Sequence, residues 1–347
     1  MLRWILAWVL GVAMAGCATA PARPPAELVN QKRLMKTLAA LPTERAARGT
    51  LHEQRGLIAT EAFVARELRS MGYTPRLEDL SWNLKSQAEA EQRVKAMDRR
   101  QALESDPELA AHVWHNIVVE IPGRELPGEV LILGAHIDAV PGAPGADDDG
   151  TGTAGLLEIA RALHGRPLKR TVQLIFFNLE EIGLKGSADY VRAHKAEFGA
   201  GREKIVGMVS LEMLGYFSDS PGSQRSPIPK IEGIFDPPTV GDFIGFATVK
   251  AHSGFCRRFD QEMRAAAPGL KTFVADFVPI APPDFLRSDH APFLLAGFPA
   301  VMLTDTSNFR NPNYHKPTDT IATIDAERFA LVVKGLAGAA AAIADAP

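Results

Sequence analysis

The sequence has only two cysteines, Cys17 and Cys256, among its 347 residues. Cys17 belongs to an N-terminal segment that export would process, so no intramolecular disulfide is expected even in an oxidising compartment. Cys256 lies in the apolar-periodic stretch SGFCRRF, which predicts a buried packing residue and not a nucleophile. A disulfide-stabilised scaffold is therefore excluded.

The chain also has little excess of positive or negative charge. The formal net charge is -3, aromatic residues make up 7% of the chain, and no lysine- or arginine-rich run occurs. Proteins that bind nucleic acid usually carry a basic footprint, so no nucleic-acid partner is expected. Hydrophobic residues make up 46% of the 347, which is enough to build one large α/β domain.

Several catalytic signatures are missing or misplaced. No Gly-x-Ser-x-Gly turn occurs, which disfavours a serine hydrolase. His52 and Glu53 lack the second histidine of the single-helix zinc motif His-Glu-x-x-His. The stretch GTGTAG at residues 150–155 formally matches a dinucleotide fingerprint, but three aspartates directly precede it and would repel a pyrophosphate. These glycines more simply allow the backbone to pack closely.

Residues 1–17 contain an apolar run that is too short to span a bilayer, which takes about 20 residues. With Arg3 in front of it, this run is typical of a signal peptide. Its end, Met-Ala-Gly-Cys, resembles a bacterial lipoprotein cleavage site in which Cys17 carries the lipid; the alternative is ordinary signal cleavage. The Pro/Ala-rich residues 18–26 then predict a short, stiff tether. We expect an exported protein, anchored to the membrane of the bacterial cell envelope through Cys17 (at the periplasmic side of the outer membrane) or secreted.

Strands and helices alternate along the rest of the chain. The runs VLILGA, VQLIFFN and IVGMVSL are almost continuously apolar, as expected for parallel strands buried on both faces. The alternation predicts an α/β fold, with a mixed, mostly parallel central sheet and helices on both faces. Strands are predicted at Asn116–Ile121, Glu129–Ala135, Thr171–Leu179, Ile205–Leu211 and Ala300–Thr304. Helices are predicted at Glu27–Leu41, Leu57–Met71, Gly152–Leu163, Gly186–His194, Ser253–Ala267, His290–Leu295 and Asp325–Ala344.

The intervening segments add little to this picture. The polar, charged residues 85–112 predict a helical excursion on the surface. The Pro/Gly/Ser-rich residues 216–242 predict either a loop that shapes a substrate cleft or a plain surface loop. No internal repeat or second composition class marks a boundary, so residues 27–347 are expected to form a single domain.

Ionisable residues follow three of the apolar strands at the point where each strand ends. His136 and Asp138 follow VLILGA, Glu180 and Glu181 follow VQLIFFNL, and Glu212 follows IVGMVSL. In open α/β sheets the ligand crevice lies outside the carboxyl ends of the strands, so these side chains are expected to lie together. Buried ionisable groups without partners are costly, and a bound metal would remove that cost.

Two loops supply further candidate ligands. Residues 141–152 carry Asp147, Asp148 and Asp149 directly before a helix, and the segment NPNYHKPTDT brings His315 after the strand AVMLT. The other histidines are less informative. His290, in SDHAPF, either supports the site through Asp289 or caps a helix. The remaining ones are predicted to be surface or satisfied structural residues: His52, His112, His115, His164, His194 and His252.

Six motifs in order carry a family resemblance that covers roughly residues 30–345. They are HID at 136–138, GADDDGTG at 145–152, NLEEIGLKGS at 178–187, SLEMLGY at 210–216, SDHAPF at 288–293 and YHKPTDT at 314–320. Together they resemble the co-catalytic zinc aminopeptidases, bacterial exopeptidases whose relatives include glutamate carboxypeptidases and glutaminyl cyclases. The resemblance implies the three-layer sandwich of that family and makes residues 27–347 a metallopeptidase catalytic domain.

The resemblance also implies roles, including two zinc ions as cofactors. Asp148 would bridge the two ions, His136 and Glu212 would complete one site, and Glu181 and His315 would complete the other. Glu180 would be the general base, and Asp138 would accept the far ring N–H of His136. The chain departs from the commonest pattern by having glutamate at 212, which leaves the identity of the metal at that site less certain than at the other.

Peptide hydrolysis at neutral pH requires an activated water, a polarised carbonyl and a proton shuttle. Two zinc ions about 3.5–4 Å apart can hold a bridging hydroxide and clamp the oxyanion. Adjacent residues at a strand end point to opposite sides, so Glu181 can ligate while Glu180 moves the proton. By the resemblance, the substrates would be peptides with a free N-terminus.

Two rival functions stay open from the sequence. A glutaminyl cyclase would work with one zinc at Asp148, Glu181 and His315, and the intact second set of ligands argues against it. A metal-free binding module on the same fold would have lost ligands or the base, yet all of them are present.

Overall fold

The computed structural model describes residues 23–82, 106–199, 201 and 203–347. Eight strands of this part of the chain form one sheet, in the order β1-β2-β4-β3-β5-β8-β6-β7. Four neighbouring pairs are parallel (β3 with β4, β3 with β5, β5 with β8, β6 with β7), and three are antiparallel. The strands are β1 (Arg76–Asp79), β2 (His115–Ile121), β3 (Leu126–His136), β4 (Arg170–Phe177), β5 (Lys204–Glu212), β6 (Ile244–Ala247), β7 (Thr272–Ala275) and β8 (Ala300–Thr304).

Helices of the described residues cover both faces of this sheet. The α-helices are α1 (Pro25–Leu28), α2 (Gln31–Ala40), α3 (Leu51–Ser70), α4 (Pro107–Ala110), α5 (Gly152–Leu163), α6 (Lys185–Gly199), α7 (Ser253–Ala266), α8 (His290–Leu295) and α9 (Ala326–Asp345). A π-helical turn spans Ala146–Thr151, and 3-10 turns span Lys250–His252, Pro283–Leu286, Ser307–Phe309 and Ile321–Thr323.

Alternate residues of the central strands pack on opposite sides. On β3, Leu131 and Leu133 belong to the large core beneath α2, α3, α5, α7 and α9, whereas Val130 and Ile132 pack with α6 and α8. This is the period of two expected for a strand between two helical layers. The mixed, mostly parallel sheet with helices on both faces is therefore confirmed, and Cys256 is buried in the larger core as predicted.

Most predicted elements are present, and three strands were missed. The bounds of α5, α8 and β8 agree with the prediction, whereas β1, β6 and β7 are only four residues long and were not predicted. Helix α3 begins at Leu51, six positions before the predicted start at Leu57, because Thr50 and Glu53 form a capping box that satisfies its first N–H groups.

The N-terminal helix predicted at Glu27–Leu41 is two helices. Val29 and Asn30 interrupt it, and the Asn30 side chain accepts the Arg33 N–H to begin α2. Helix α1 already begins at Pro25, which is buried, so the folded part includes the end of the predicted tether. The signal peptide, Cys17 and most of that tether lie outside the described residues.

The predicted excursion at 85–112 falls largely on residues 83–105, which also lie outside the described part; Pro107–Ala110 within it is a short helix. Among the residues that the structure describes, no helix combines the length and the apolar character needed to cross a bilayer.

Candidate metal centre

The three strand ends with ionisable residues are neighbours in the sheet. His136 is the last residue of β3, and Glu212 is the last residue of β5, which pairs with β3 on one side. On the other side, β4 ends at Phe177 and leads within four residues to Glu180 and Glu181. The parallel pairing of β4, β3 and β5 therefore brings these predicted residues to one edge of the sheet, as expected for the crevice of an α/β fold.

Asp148 lies between the two histidines. Its Oδ1 is 3.1 Å from Nε2 of His136, and its Oδ2 is 3.1 Å from Nε2 of His315. Glu212 Oε2 lies 3.8 Å from His136 Nε2, and Glu181 Oε2 lies 3.4 Å from His315 Nε2. All five predicted ligands are thus brought together as two sets of three that share Asp148.

Two oxygens of this cluster have no partner. Glu181 Oε1 and Glu212 Oε2 are buried and lack a hydrogen-bond donor. A buried carboxylate without a partner is costly, and a metal ion removes the cost. Two imidazoles with three carboxylates are a donor set that zinc accepts. These residues therefore fit two zinc ions, one in each set of three.

The pKa values of the cluster point in the same direction. Burial and the nearby carboxylates raise the pKa of Glu212 to about 8. Burial also raises the pKa of Glu180 well above its usual value, with Glu181 and Glu212 adding to the effect. Burial opposes protonation of His315, but Asp148 and Glu181 outweigh it and raise its pKa to about 10. The site thus has an excess of negative charge, which protons or metal ions neutralise.

Asp138 has a wider role than the one predicted. His136 Nδ1 is 3.1 Å from the backbone carbonyl oxygen of Asp138 and 3.4 Å from its carboxylate Oδ1. The carboxylate accepts the backbone N–H of Glu180 on Oδ1 and that of Glu181 on Oδ2, both at 3.1 Å. Asp138 therefore holds the ring of one candidate ligand and the backbone of both glutamates.

Backbone strain concentrates beside the candidate ligands. Leu179, Met213 and His315 have φ values of 62°, 54° and 58°, in the left-handed region that side chains disfavour. Such residues cost about 1–3 kcal/mol each and persist only where the surroundings fix them. Met213 is fixed by its N–H, which donates to Asp149 Oδ1 at 3.1 Å. These backbone positions at the candidate site are thus held in a geometry that the isolated chain would avoid.

Asp149 and Asp319 are two buried carboxylates whose roles sequence reasoning missed. Asp149 accepts the backbone N–H groups of His136, Gly152 and Met213. Asp319 accepts the N–H of Asp147 at 2.9 Å and that of Asp148 at 3.1 Å. The signal was in the sequence, since both aspartates lie inside quoted motifs, but their spacing does not reveal which N–H groups they accept.

Arg45 is a buried residue that sequence reasoning did not single out. Its guanidinium donates to the backbone oxygens of Ile137, Pro144 and Gly145 at 2.9, 2.6 and 2.5 Å. It therefore holds the loop that carries Asp148 against the end of β3. No local pattern marks it, because it lies about a hundred positions before that loop.

His290 does not face the cluster through a polar contact. It is the first residue of α8, its Nε2 lies 2.6 Å from the backbone oxygen of Phe285, and burial lowers its pKa to about 4. It is therefore a neutral donor to that carbonyl. Its neighbour Asp289 is buried, and burial raises the pKa of its carboxyl to about 7, with the charge of His136 opposing that rise.

An apolar pocket opens onto the cluster at Glu212 and Tyr314. Its cavity volume is about 100 Å³. Part of its wall comes from the segment at 216–242, so that loop shapes the cleft. Its apolar lining includes Ile228, Phe235, Phe243, Phe246, Ala247, Phe273, Ala275, Phe285 and Met302.

The chain is similar in sequence to several known proteins, aminopeptidases among them. The chain is 32% identical over 275 residues to the uncharacterized protein YfbL of Escherichia coli, covering 76% of this chain and 81% of YfbL. It is 26% identical to leucine aminopeptidase 1 of Metarhizium robertsii, covering 69% of this chain and 58% of that protein. It is 30% identical to the probable lipoprotein aminopeptidase LpqL of Mycobacterium tuberculosis, covering 62% of this chain and 42% of LpqL. The chain thus spans about half the length of these named aminopeptidases.

Solved structures share the fold at lower identity. The LapA aminopeptidase of Legionella pneumophila superposes with a TM-score of 0.66 at 17% identity, over 93% of this chain and 74% of LapA. The zinc aminopeptidase BSAP of Bacillus subtilis gives 0.61 at 18% identity, over 90% and 94% of the chains. A glutaminyl cyclase of Porphyromonas gingivalis gives 0.58 at 17% identity, over 89% and 97%. The family model described as "Peptidase family M28" matches residues 116–339, more than half of the sequence, and the chain therefore belongs to peptidase family M28.

Proposed function

We propose that this protein is a zinc-dependent aminopeptidase that removes N-terminal residues from peptides. The observation that carries the proposal is the position of Asp148, with one carboxylate oxygen 3.1 Å from each of two histidines. Asp148, His136 and Glu212 would hold one zinc ion, and Asp148, Glu181 and His315 the other. The aminopeptidases among its relatives support this assignment.

Zinc bound there would supply Lewis-acid polarisation of the scissile carbonyl and would lower the pKa of a bound water. Glu180 would take a proton from the attacking water and return it to the leaving amine. Glu180 is 9% exposed, and its backbone N–H is held by Asp138. Burial keeps bulk water from competing for that proton. The hydrogen bond to Asp138 fixes the backbone from which the Glu180 side chain extends.

The pocket beside Glu212 defines the side chain that the enzyme would accept. Its apolar lining consists chiefly of phenylalanines and prolines, with polar residues such as Gln224 and Asp284 beside them, and it reaches the cluster at Glu212. An N-terminal residue with a large apolar side chain, such as leucine or phenylalanine, would bury that side chain there. Each buried CH₂ group contributes about 0.8 kcal/mol, so leucyl substrates are expected to outperform alanyl ones.

A glutaminyl cyclase is the rival function, because a cyclase shares the fold. The observation against it is the second set of ligands, in which His136 and Glu212 accompany Asp148 with every side chain buried. A non-catalytic binding module would have no use for a general base next to this set.

The N-terminal segment bears on location. LpqL, a relative, is described as a probable lipoprotein aminopeptidase. We propose that Cys17 of this chain carries a lipid that anchors it in the cell envelope. Metabolic labelling with a palmitate analogue tests this: wild type should be labelled and Cys17→Ser should not, whereas an unlabelled wild type would favour secretion after ordinary cleavage.

The function is tested by release of amino acid from a panel of aminoacyl-p-nitroanilides. Wild type should lose activity with chelator and regain it with zinc. Glu180→Gln should be nearly inactive while retaining its zinc, and Glu262→Gln, which alters only an ion pair with Arg258 on α7, should match wild type. If zinc-loaded wild type were no faster than Glu180→Gln on every substrate, the aminopeptidase assignment would fall. Formation of pyroglutamate from a peptide that begins with glutamine would then support the cyclase.

A further inference from the structure

Three possible metal ligands lie in a second cluster that shares no residue with the candidate metal centre. Glu61 lies on α3, and His112 and His115 lie on the segment that leads into β2 and includes its first residue. One donor atom from each of the three lies within 4.8 Å of the other two. Sequence reasoning had treated both histidines as ordinary structural residues, because Glu61 is about fifty positions away.

The spacing of these atoms suits a metal ion. His112 Nε2 is 3.0 Å from Glu61 Oε2, and His115 Nδ1 is 3.7 Å from the same oxygen. Ligand atoms around a four-coordinate zinc lie about 3.3 Å apart, as follows from bond lengths of about 2.0–2.1 Å. We infer that Glu61, His112 and His115 form an additional zinc-binding site, with water as its fourth ligand.

The surroundings fix the ligands in orientations that metal binding requires. The other oxygen of Glu61 accepts the backbone N–H of His115 and the side-chain N–H of Asn178, each at 2.8 Å, so that Oε2 faces the two imidazoles. His115 directs its second nitrogen toward Asp79 Oδ1 at 3.4 Å. A carboxylate behind a metal-bound imidazole is a recurrent arrangement that sets the tautomer and raises ligand basicity.

The carboxylate of this cluster is more deeply buried than its two imidazoles, and a metal ion could enter from the imidazole side. The Glu61 side chain is 9% exposed, whereas both histidine side chains are 20% exposed. The His112 ring packs edge-on against Trp114, with centroids 4.7 Å apart, which fixes its orientation. The carboxylate is thus inside and the imidazoles face the solvent, from which both zinc and its water can arrive.

An ion at this site would join elements that position the catalytic glutamates. It would cross-link α3 to the start of β2. Through Glu61 it would also hold Asn178, whose side-chain oxygen accepts the backbone N–H of Leu179 at 2.8 Å. Leu179 directly precedes Glu180, and the site therefore would be structural, at the base of the loop that carries the general base.

Zinc stoichiometry decides the proposal. Apo-protein dialysed against dilute zinc should take up one more zinc per chain for wild type than for His112→Gln, measured by mass spectrometry of the metal. Glutamine can still donate to Glu61, so the variant should fold. The matched control is His194→Gln, which removes a histidine that is also 20% exposed and lies 3.2 and 3.0 Å from two glutamates, and it should bind as many ions as wild type.

A second measurement isolates the site from the candidate metal centre. The double variant Asp148→Asn, Glu181→Gln should still bind one zinc per chain and gain thermal stability from it, and adding His112→Gln should abolish both effects. Asp79→Asn should weaken this binding about tenfold, at the low end for an outer-shell partner. Equal zinc content in wild type and His112→Gln would overturn the proposal. If the double variant does not fold, the comparison of these two proteins is sufficient to decide it.

Discussion

Asp138 Oδ1 accepts the backbone N–H of Glu180 at 3.1 Å. The aspartate at the end of one strand thus fixes the backbone of the candidate general base at the end of the next. Its second oxygen holds Glu181 in the same way. The Asp138 carboxylate therefore sets the position of the candidate base relative to that of a candidate ligand. Both of its oxygens are needed as acceptors for this role.

The first prediction concerns Asp138→Asn. The asparagine keeps one acceptor oxygen, but its NH₂ group would face a backbone N–H and push one glutamate out of place. We expect kcat to fall about 10–100-fold, the range for residues that orient metal ligands, with little change in KM. Steady-state kinetics on a leucyl substrate measure both constants.

Asp189→Asn is the matched control for that variant. Asp189 is also buried, and its Oδ2 accepts the backbone N–H of Ser81 at 2.6 Å, with no link to the cluster. It should lose stability by about 1–3 kcal/mol and keep the wild-type kcat. An equal fall of kcat in both variants would mean that Asp138 acts only through general stability.

The second prediction concerns Asp319→Ala. Asp319 accepts the N–H groups of Asp147 and Asp148, and its loss leaves two buried donors unpaired. Each unpaired group costs about 1–3 kcal/mol, and the loop that carries the candidate ligand Asp148 would shift. We expect a lower free energy of unfolding in urea and weaker zinc binding by both sets of ligands. Unchanged zinc affinity at reduced stability would contradict a positioning role.

The third prediction tests the pocket. Ala275 lines it from β7, and Ala275→Phe would fill the space for a large side chain. We expect kcat/KM for a leucyl substrate to fall about 10–200-fold, which corresponds to roughly 1–3 kcal/mol, while an alanyl substrate is affected little. Ala275→Ser, which barely changes volume, is the control. Equal losses on both substrates would show that this pocket does not hold the N-terminal side chain.

A feature of this fold could be predicted from the sequence where its pattern is local along the chain. The apolar strands and the residues at their ends, such as His136 and Glu212, were predicted because period and position along the chain are local properties. Strand β1 was missed because RLED is polar and mostly exposed, so it lacks an alternating apolar pattern. β6 and β7 are too short for a pattern to emerge.

The supporting residues were beyond prediction for a different reason. Arg45 and Asp319 act by donating to or accepting from backbone groups. Any chain segment offers such groups, so no residue pattern identifies the partner. The contact between the side chains of Glu61 and His112 was also unpredictable, because only the packing of α3 against β2 brings them together. Motifs therefore revealed the candidate ligands, and tertiary structure was needed to find what holds them.

The fourth prediction concerns pH and the pair His194 and Glu78, which lie 3.2 Å apart. The hydrogen bond to Glu78 raises the pKa of His194, with Glu197 adding to it and burial opposing it. Glu203 also lies within electrostatic range of His194, and Arg76 pairs with Glu78. Because the folded-state pKa exceeds the unfolded value of about 6.5, the pair stabilises the fold fully below that value. The stabilisation is lost as the pH rises through the higher folded-state pKa.

His194→Gln should therefore cost more at pH 6 than at pH 9. The difference in the free energy of unfolding should be about 0.5–1 kcal/mol, as for partly exposed ion pairs, and urea denaturation at the two pH values measures it. His252→Gln is the contrasting control, because burial lowers the pKa of His252 and its replacement should cost less stability at pH 6 than at pH 9. An identical cost of His194→Gln at pH 6 and pH 9 would show that the charge of His194 contributes nothing to stability.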